Sequence, residues 1–146
     1  MLSDNLIMLR NIKGLSQEDV AEVAGVSRQA YAKWEKGDTL PDVEKCAIMA
    51  EYYGVTIDSL WKTNEPVNGI PVSPAPKGKH IFGTVTVSER GQIVIPKEAR
   101  DLFNLTGGTR LIVLGDEGEG LALLPAESFE RTLRETLARA TKIREE

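Results

Sequence analysis

One cysteine and one histidine among 146 residues remove several kinds of chemistry at once. Cys46 has no partner within its chain for a disulfide, and a cysteine-rich zinc site is excluded. His80 alone excludes most histidine-based catalytic and metal constellations. No run approaches the roughly 18 apolar residues that would argue for a membrane span. The opening MLSDNLIMLR shows no basic stretch ahead of an apolar one, so no signal peptide is read and a cytoplasmic location is expected. No nucleophile–base pair, phosphate loop or metal cluster is visible, so neither catalysis nor a metal or cofactor is expected. A basic tail is missing too. The net charge is −4 overall, and by segment it is −3 over residues 1–64, +1 over 65–80, −2 over 81–125 and zero over 126–146. Any binding to nucleic acid must come from a focused basic face and should be sensitive to salt.

Proline is concentrated where the chain changes character. Pro66, Pro71, Pro74 and Pro76 fall within Thr63–His80. That density excludes helix and disfavours a central strand. A partly extended linker, polyproline-like in places, is predicted over residues 65–80; the 18 residues of the wider stretch could reach on the order of 55 Å at roughly 3.1 Å each.

Ahead of the linker, over residues 1–64, helical periodicity dominates. Leu6, Leu9 and Ile12 line a first helix, which Gly14 stops. Ser16 caps a second, with Asp19 in the capping-box position, and Val20, Ala21 and Ala24 carry its apolar face. After Gly25, Ser27 caps a third helix whose inner face is Tyr31 and Trp34, and Gly37 ends it. Pro41 precedes a fourth with Val43, Cys46, Met49, Ala50 and Tyr53 inward. Gly54 closes that one, and a short fifth covers residues 57–61.

Two short helices joined by a glycine-containing turn make a helix-turn-helix, whose second helix can enter the major groove. Ser27, Arg28, Gln29 and Lys33 lie opposite Tyr31 and Trp34 on that helix. Arg28 can bond bidentately to guanine and Gln29 to adenine. Gln17 opens the preceding helix, where a side-chain amide and free N–H groups can hold a phosphate. The spacing of Ser16-Gln17, Gly25-Val26-Ser27, Trp34-Glu35, Gly37 and Pro41 resembles the lambda-repressor/Cro-type (XRE-like) helix-turn-helix family. That resemblance covers residues 5–61 and implies an all-α, five-helix domain. It also implies Gln17 on a phosphate, Ser27, Arg28, Gln29 and Lys33 on bases or nearby phosphates, and an Arg10–Glu35 brace. Tyr31 stands where the family usually has a smaller aliphatic residue, and Asp38 and Asp42 put negative charge near the phosphate path.

Beyond the linker the period becomes two. Strands are predicted at residues 84–87, 92–95, 110–114 and 121–124, the last two joined by GDEGEG. A helix over residues 97–103 starts after Pro96, where the missing N–H costs nothing. Residues 81–125 are too few to build a core alone, and no disulfide or metal set compensates. Two interleaved copies would share one core, with Ile93 and Ile95 inward and Pro96 at the hinge. The run GTVTVSERGQIVIPKEARDLFNLTGGTRLIVL resembles the AbrB/MazE/SpoVT family of swapped-hairpin, looped-hinge-helix domains. It implies a mainly-β intertwined barrel dimer, with Arg90, Gln92, Lys97 and Arg100 as DNA-contact candidates. Asp101 follows Arg100 where some DNA-binding members carry a second arginine. Residues 126–146 read as a C-terminal helix with Phe129, Leu133, Leu137 and Ala140 on one stripe, packing on the barrel or on another chain.

The expectation is a two-domain, sequence-specific DNA-binding regulator, cytoplasmic and nucleoid-associated. It acts as a homodimer on double-stranded DNA, with higher assembly open through the C-terminal helix. A rigid dimer would match half-sites about 34 Å apart, a rule that the linker would loosen. Two alternatives stand: an antitoxin that represses its own operon and binds a toxin, and an interaction adaptor that no longer binds DNA.

Overall fold

A computed structural model describes residues 1–145. The chain forms two compact units, Met1–Pro96 and the chain from Lys97 on.

In the first unit five helices follow in order: α1 (Leu2–Ile12), α2 (Gln17–Ala24), α3 (Arg28–Lys36), α4 (Val43–Tyr53) and α5 (Ile57–Trp61). Their ends fall where local chemistry sets them. Ser16, Ser27, Asp42 and Thr56 each accept a first-turn N–H, and at Ser16 the Asp19 carboxylate returns a bond to the cap N–H. Asp42, an acid near the expected phosphate path, is thus the cap of α4. Gly25, Gly37 and Gly54 close α2, α3 and α4 in the left-handed conformation, which costs glycine no Cβ clash. The core joins Leu2, Leu6 and Leu9 of α1 to Val20, Tyr31, Met49 and Leu60. Tyr31, larger than the family's usual residue, is fully buried and meets Trp34 edge-on, with ring centroids 5.9 Å apart. Cys46 is buried, and burial raises its thiol pKa, as for an inert core cysteine.

Two inward positions are corrected. Ile12 is 66% exposed. Steps of three from Leu6 and Leu9 drift around a 3.6-residue helix, and the stripe actually buried is Leu2, Asn5, Leu6 and Leu9. Val43 is 77% exposed. As the first residue of α4 its side chain tilts toward the N-terminus and past the end of the core.

The proline-rich stretch contains a tight turn. Val67 and Ile70 exchange backbone hydrogen bonds of 3.0 and 2.9 Å around Asn68 and Gly69, both at positive φ. Asn-Gly suits such a turn. The Asn64 amide donates to the Ser73 carbonyl (3.0 Å), the Lys77 N–H donates to the Gly54 carbonyl (2.8 Å), and Pro74 is buried. Residues 64–77 therefore form a strap tied to the end of α4. Buried Asn5 serves the same corner, donating to the carbonyls of Leu60 (2.8 Å) and Lys62 (2.9 Å).

Thr84–Val87 and Gln92–Ile95 are not paired as strands within the chain. Around Gly91 they meet at a tight turn, where the Ser88 N–H donates to the Gln92 carbonyl (2.8 Å). Ile93 is exposed and Ile95 half-buried.

The second unit holds α6 (Lys97–Leu102), an antiparallel pair β1 (Leu111–Asp116) and β2 (Gly120–Pro125), and α7 (Ala126–Glu145). The register runs from Leu111 opposite Pro125 to Asp116 opposite Gly120. Asp116 Oδ1 accepts the Gly118 N–H (2.8 Å) in a turn of residues 117–119, three residues shorter than the expected GDEGEG. The helix expected over 126–146 starts at Ala126; Glu146 lies outside the described residues. The layout is that of two domains: a helical one, then a small antiparallel sheet with a C-terminal helix.

Candidate nucleic-acid interface

Ser27, Arg28, Gln29 and Lys33 emerge on one exposed face of α3. On the same helix Tyr31, Trp34 and Glu35 are buried. Ser27 has two uses here. Its Oγ accepts the Ala30 N–H (3.2 Å) as the cap, which leaves the hydroxyl hydrogen free to donate. The turn before it is tight because Gly25 takes φ +68°.

Electrostatics sharpen this face. The one acid of α3, Glu35, turns inward and accepts from Arg10 Nε at 2.6 Å on Oε1 and from Arg10 Nη2 at 3.2 Å on Oε2. The exposed side of α3 is left with Arg28, Lys33 and Lys36. Burial of Glu35 opposes its ionisation. The hydrogen bond from Arg10 and a further one from Gln17 overcome that and hold the carboxyl below its usual range. Arg10 is held above its own range by the hydrogen bond to Glu35, and it also donates to the Leu15 carbonyl (2.9 Å). The expected Arg10–Glu35 brace is present.

The third donor to Glu35 was not anticipated. Gln17 opens α2 and is half-buried, and its Nε2 donates to Glu35 Oε2 at 2.8 Å. The candidate phosphate contact is thereby tied to the helix that carries the candidate base contacts. The hydroxyls of Tyr31 and Tyr53 share this neighbourhood without a well-formed hydrogen bond; burial pushes the Tyr53 phenol up to about 12.

The other four candidates fall in two groups. Arg90 and Gln92 lie on or beside the Ser88–Gln92 turn, both exposed. Lys97 and Arg100 lie exposed on α6 of the other unit, where Lys97 pairs with Asp101 at 2.8 Å. Among the described residues no three histidine, cysteine or acidic side chains gather as a metal site, and no helix is long and apolar enough to cross a membrane.

Residues 6–60 match the helix-turn-helix family model. An uncharacterized HTH-type transcriptional regulator of Methanocaldococcus jannaschii, MJ0272, is 33% identical over 60 residues, which cover 41% of this chain and 91% of that protein. This chain belongs to the helix-turn-helix family of transcriptional regulators. Similarity to the HTH-type transcriptional activator BcrR of Enterococcus faecalis reaches 40% over 63 residues, 43% of this chain. A solved transcriptional regulator from Listeria innocua is 32% identical, with a TM-score of 0.42 and 47% of this chain covered. The chain spans 31% of BcrR and 64% of the Listeria protein. Residues 84–131 match a second family model, described as antidote-toxin recognition MazE, bacterial antitoxin. Two family matches thus fall on one chain, and the second runs from residue 84 into α7.

Proposed function

We propose that the chain is a homodimeric, sequence-specific DNA-binding transcriptional regulator of the cytoplasm, with no enzymatic activity. In this reading α3 lies in the major groove, and residues 81–125 join two chains into a barrel. The observation that carries it is the sorting of α3: Ser27, Arg28, Gln29 and Lys33 outward, with its only acid inward on Arg10. Arg28 and Gln29 lie near the start of α3, where a recognition helix meets base edges, and Gln17 serves the phosphate. Arg90, Gln92, Lys97 and Arg100 double in a dimer and add a second, weaker basic surface. Selection of bound duplexes from a random pool tests the reading. Arg28→Ala should cost about 1–3 kcal/mol and relax one base position. A loss equal on all sequences would remove Arg28 from base reading.

A second reading is favoured by the match over residues 84–131, whose description names toxin recognition. Here the chain is an autorepressing antitoxin that holds a toxin through α7. Recovery of one small partner at fixed stoichiometry supports it. Absence of salt-dependent binding to any duplex would leave only an adaptor role.

A further inference from the structure

We propose that Glu35 is a positioning residue for a backbone phosphate, acting through Gln17 without touching DNA itself. The inference rests on α3 being the DNA-reading helix. Glu35 lies on that helix, yet its side chain is only 5% exposed. Its carboxylate gathers donors from two other helices: Arg10 of α1, and Gln17 Nε2 at 2.8 Å. Gln17 stands at the first position of α2 and remains half-buried. A carboxamide has two N–H groups and a carbonyl. One N–H is spent on Glu35, so the other N–H and the carbonyl are left for a second partner.

Two physical effects follow. A glutamine at a helix end otherwise samples several rotamers, and ordering it when a phosphate arrives would cost affinity. Glu35 orders it beforehand. A hydrogen bond to a buried carboxylate also polarises the amide, which strengthens the remaining N–H as a donor. The setting makes that useful, because Glu18 and Asp19 follow Gln17 and add negative charge beside the same helix end. Because Glu35 belongs to α3, any shift of that helix would carry the phosphate donor with it.

The test uses the full chain and duplexes in which single phosphates are replaced by neutral methylphosphonates. Gln17→Met should weaken binding about tenfold, as for one lost hydrogen bond to a charged group, and should abolish sensitivity to one particular methylphosphonate. Glu35→Gln keeps a single acceptor oxygen, which the charged Arg10 claims. It should lose sensitivity to that same phosphate, and the double variant should bind no worse than Gln17→Met alone. Arg10→Met removes the brace but leaves the Gln17–Glu35 bond; it should lower the melting temperature and keep the phosphate footprint. If Glu35→Gln retains the wild-type footprint, or if the two losses multiply, the proposal fails. Loss of the footprint in Arg10→Met would reduce Glu35 to bracing and overturn it too. If the wild-type chain bound no duplex, the DNA-reading role of α3 would fall first, and this proposal with it.

Discussion

The two halves of the molecule spend their apolar residues in opposite ways. Among the described residues, every buried apolar side chain except Pro74 and Ala99 lies before residue 61. Past residue 80, Val87, Val94, Val113 and Leu121 stand open to solvent, Leu121 at 81% exposure. The helical half closes its own core and caps its own helix ends. The β half offers a two-stranded hairpin and two segments that form no strand within the chain, and an isolated hairpin is marginal in water. Autonomy on one side and incompleteness on the other is what a binding head on a shared dimer stem would show.

The largest effect should come from separating the halves. Residues 81–146 alone should unfold as they dissociate, with a melting temperature that falls on dilution, because folding and assembly are one equilibrium. Residues 1–80, which keep the strap and its Lys77–Gly54 anchor, should melt at a temperature independent of concentration. A fragment 81–146 that stays folded as a monomer would break the comparison. Within the head, Leu6→Ala empties a fully buried position and should cost about 3–5 kcal/mol in chemical denaturation. Leu121→Asp should leave the head's transition unchanged and shift the full chain toward monomer.

Charge gives the next step down. Arg10→Ala would strand the enclosed Glu35 carboxylate, at a cost of about 3 kcal/mol. The pH dependence has a definite sign. The folded-state pKa of Glu35 lies below its ordinary value, so ionised Glu35 stabilises the head above the usual carboxylate range. That stability is lost as pH falls through the depressed folded value. Acid titration of the head's melting temperature should show this slope, and Glu35→Gln should remove its share.

The head was readable because its signals are local. Ser16, Ser27 and the glycines at 25, 37 and 54 announce helix ends within a few residues of where they act, and the row Arg28, Gln29, Lys33 follows from helical period alone. What escaped was non-local. Nothing in the spacing of Gln17 and Glu35 says that α2 and α3 bring them together. The Asn68-Gly69 turn was hidden among four prolines that argued for extension. In the β half, alternation at residues 84–87 and 92–95 is plain, but it does not say which edge pairs with which.

The smallest stability effect is assigned to the Lys97–Asp101 ion pair. Lys97 and Asp101 sit one helical turn apart, with side chains 79% and 64% exposed. Such pairs contribute only about 0.3–0.5 kcal/mol, because water screens them and two long side chains must be held still. Asp101→Ala should therefore hardly move the melting curve, unlike Arg10→Ala. Its effect on DNA is the sharper reading. If Lys97 touches a phosphate in the dimer, Asp101 competes for it, and Asp101→Ala should tighten binding to all duplexes alike. Lys97→Ala should then lower the salt slope by about one. If neither substitution changes DNA affinity, the β half is a clamp, and all reading of DNA belongs to α3 and the helices that hold it.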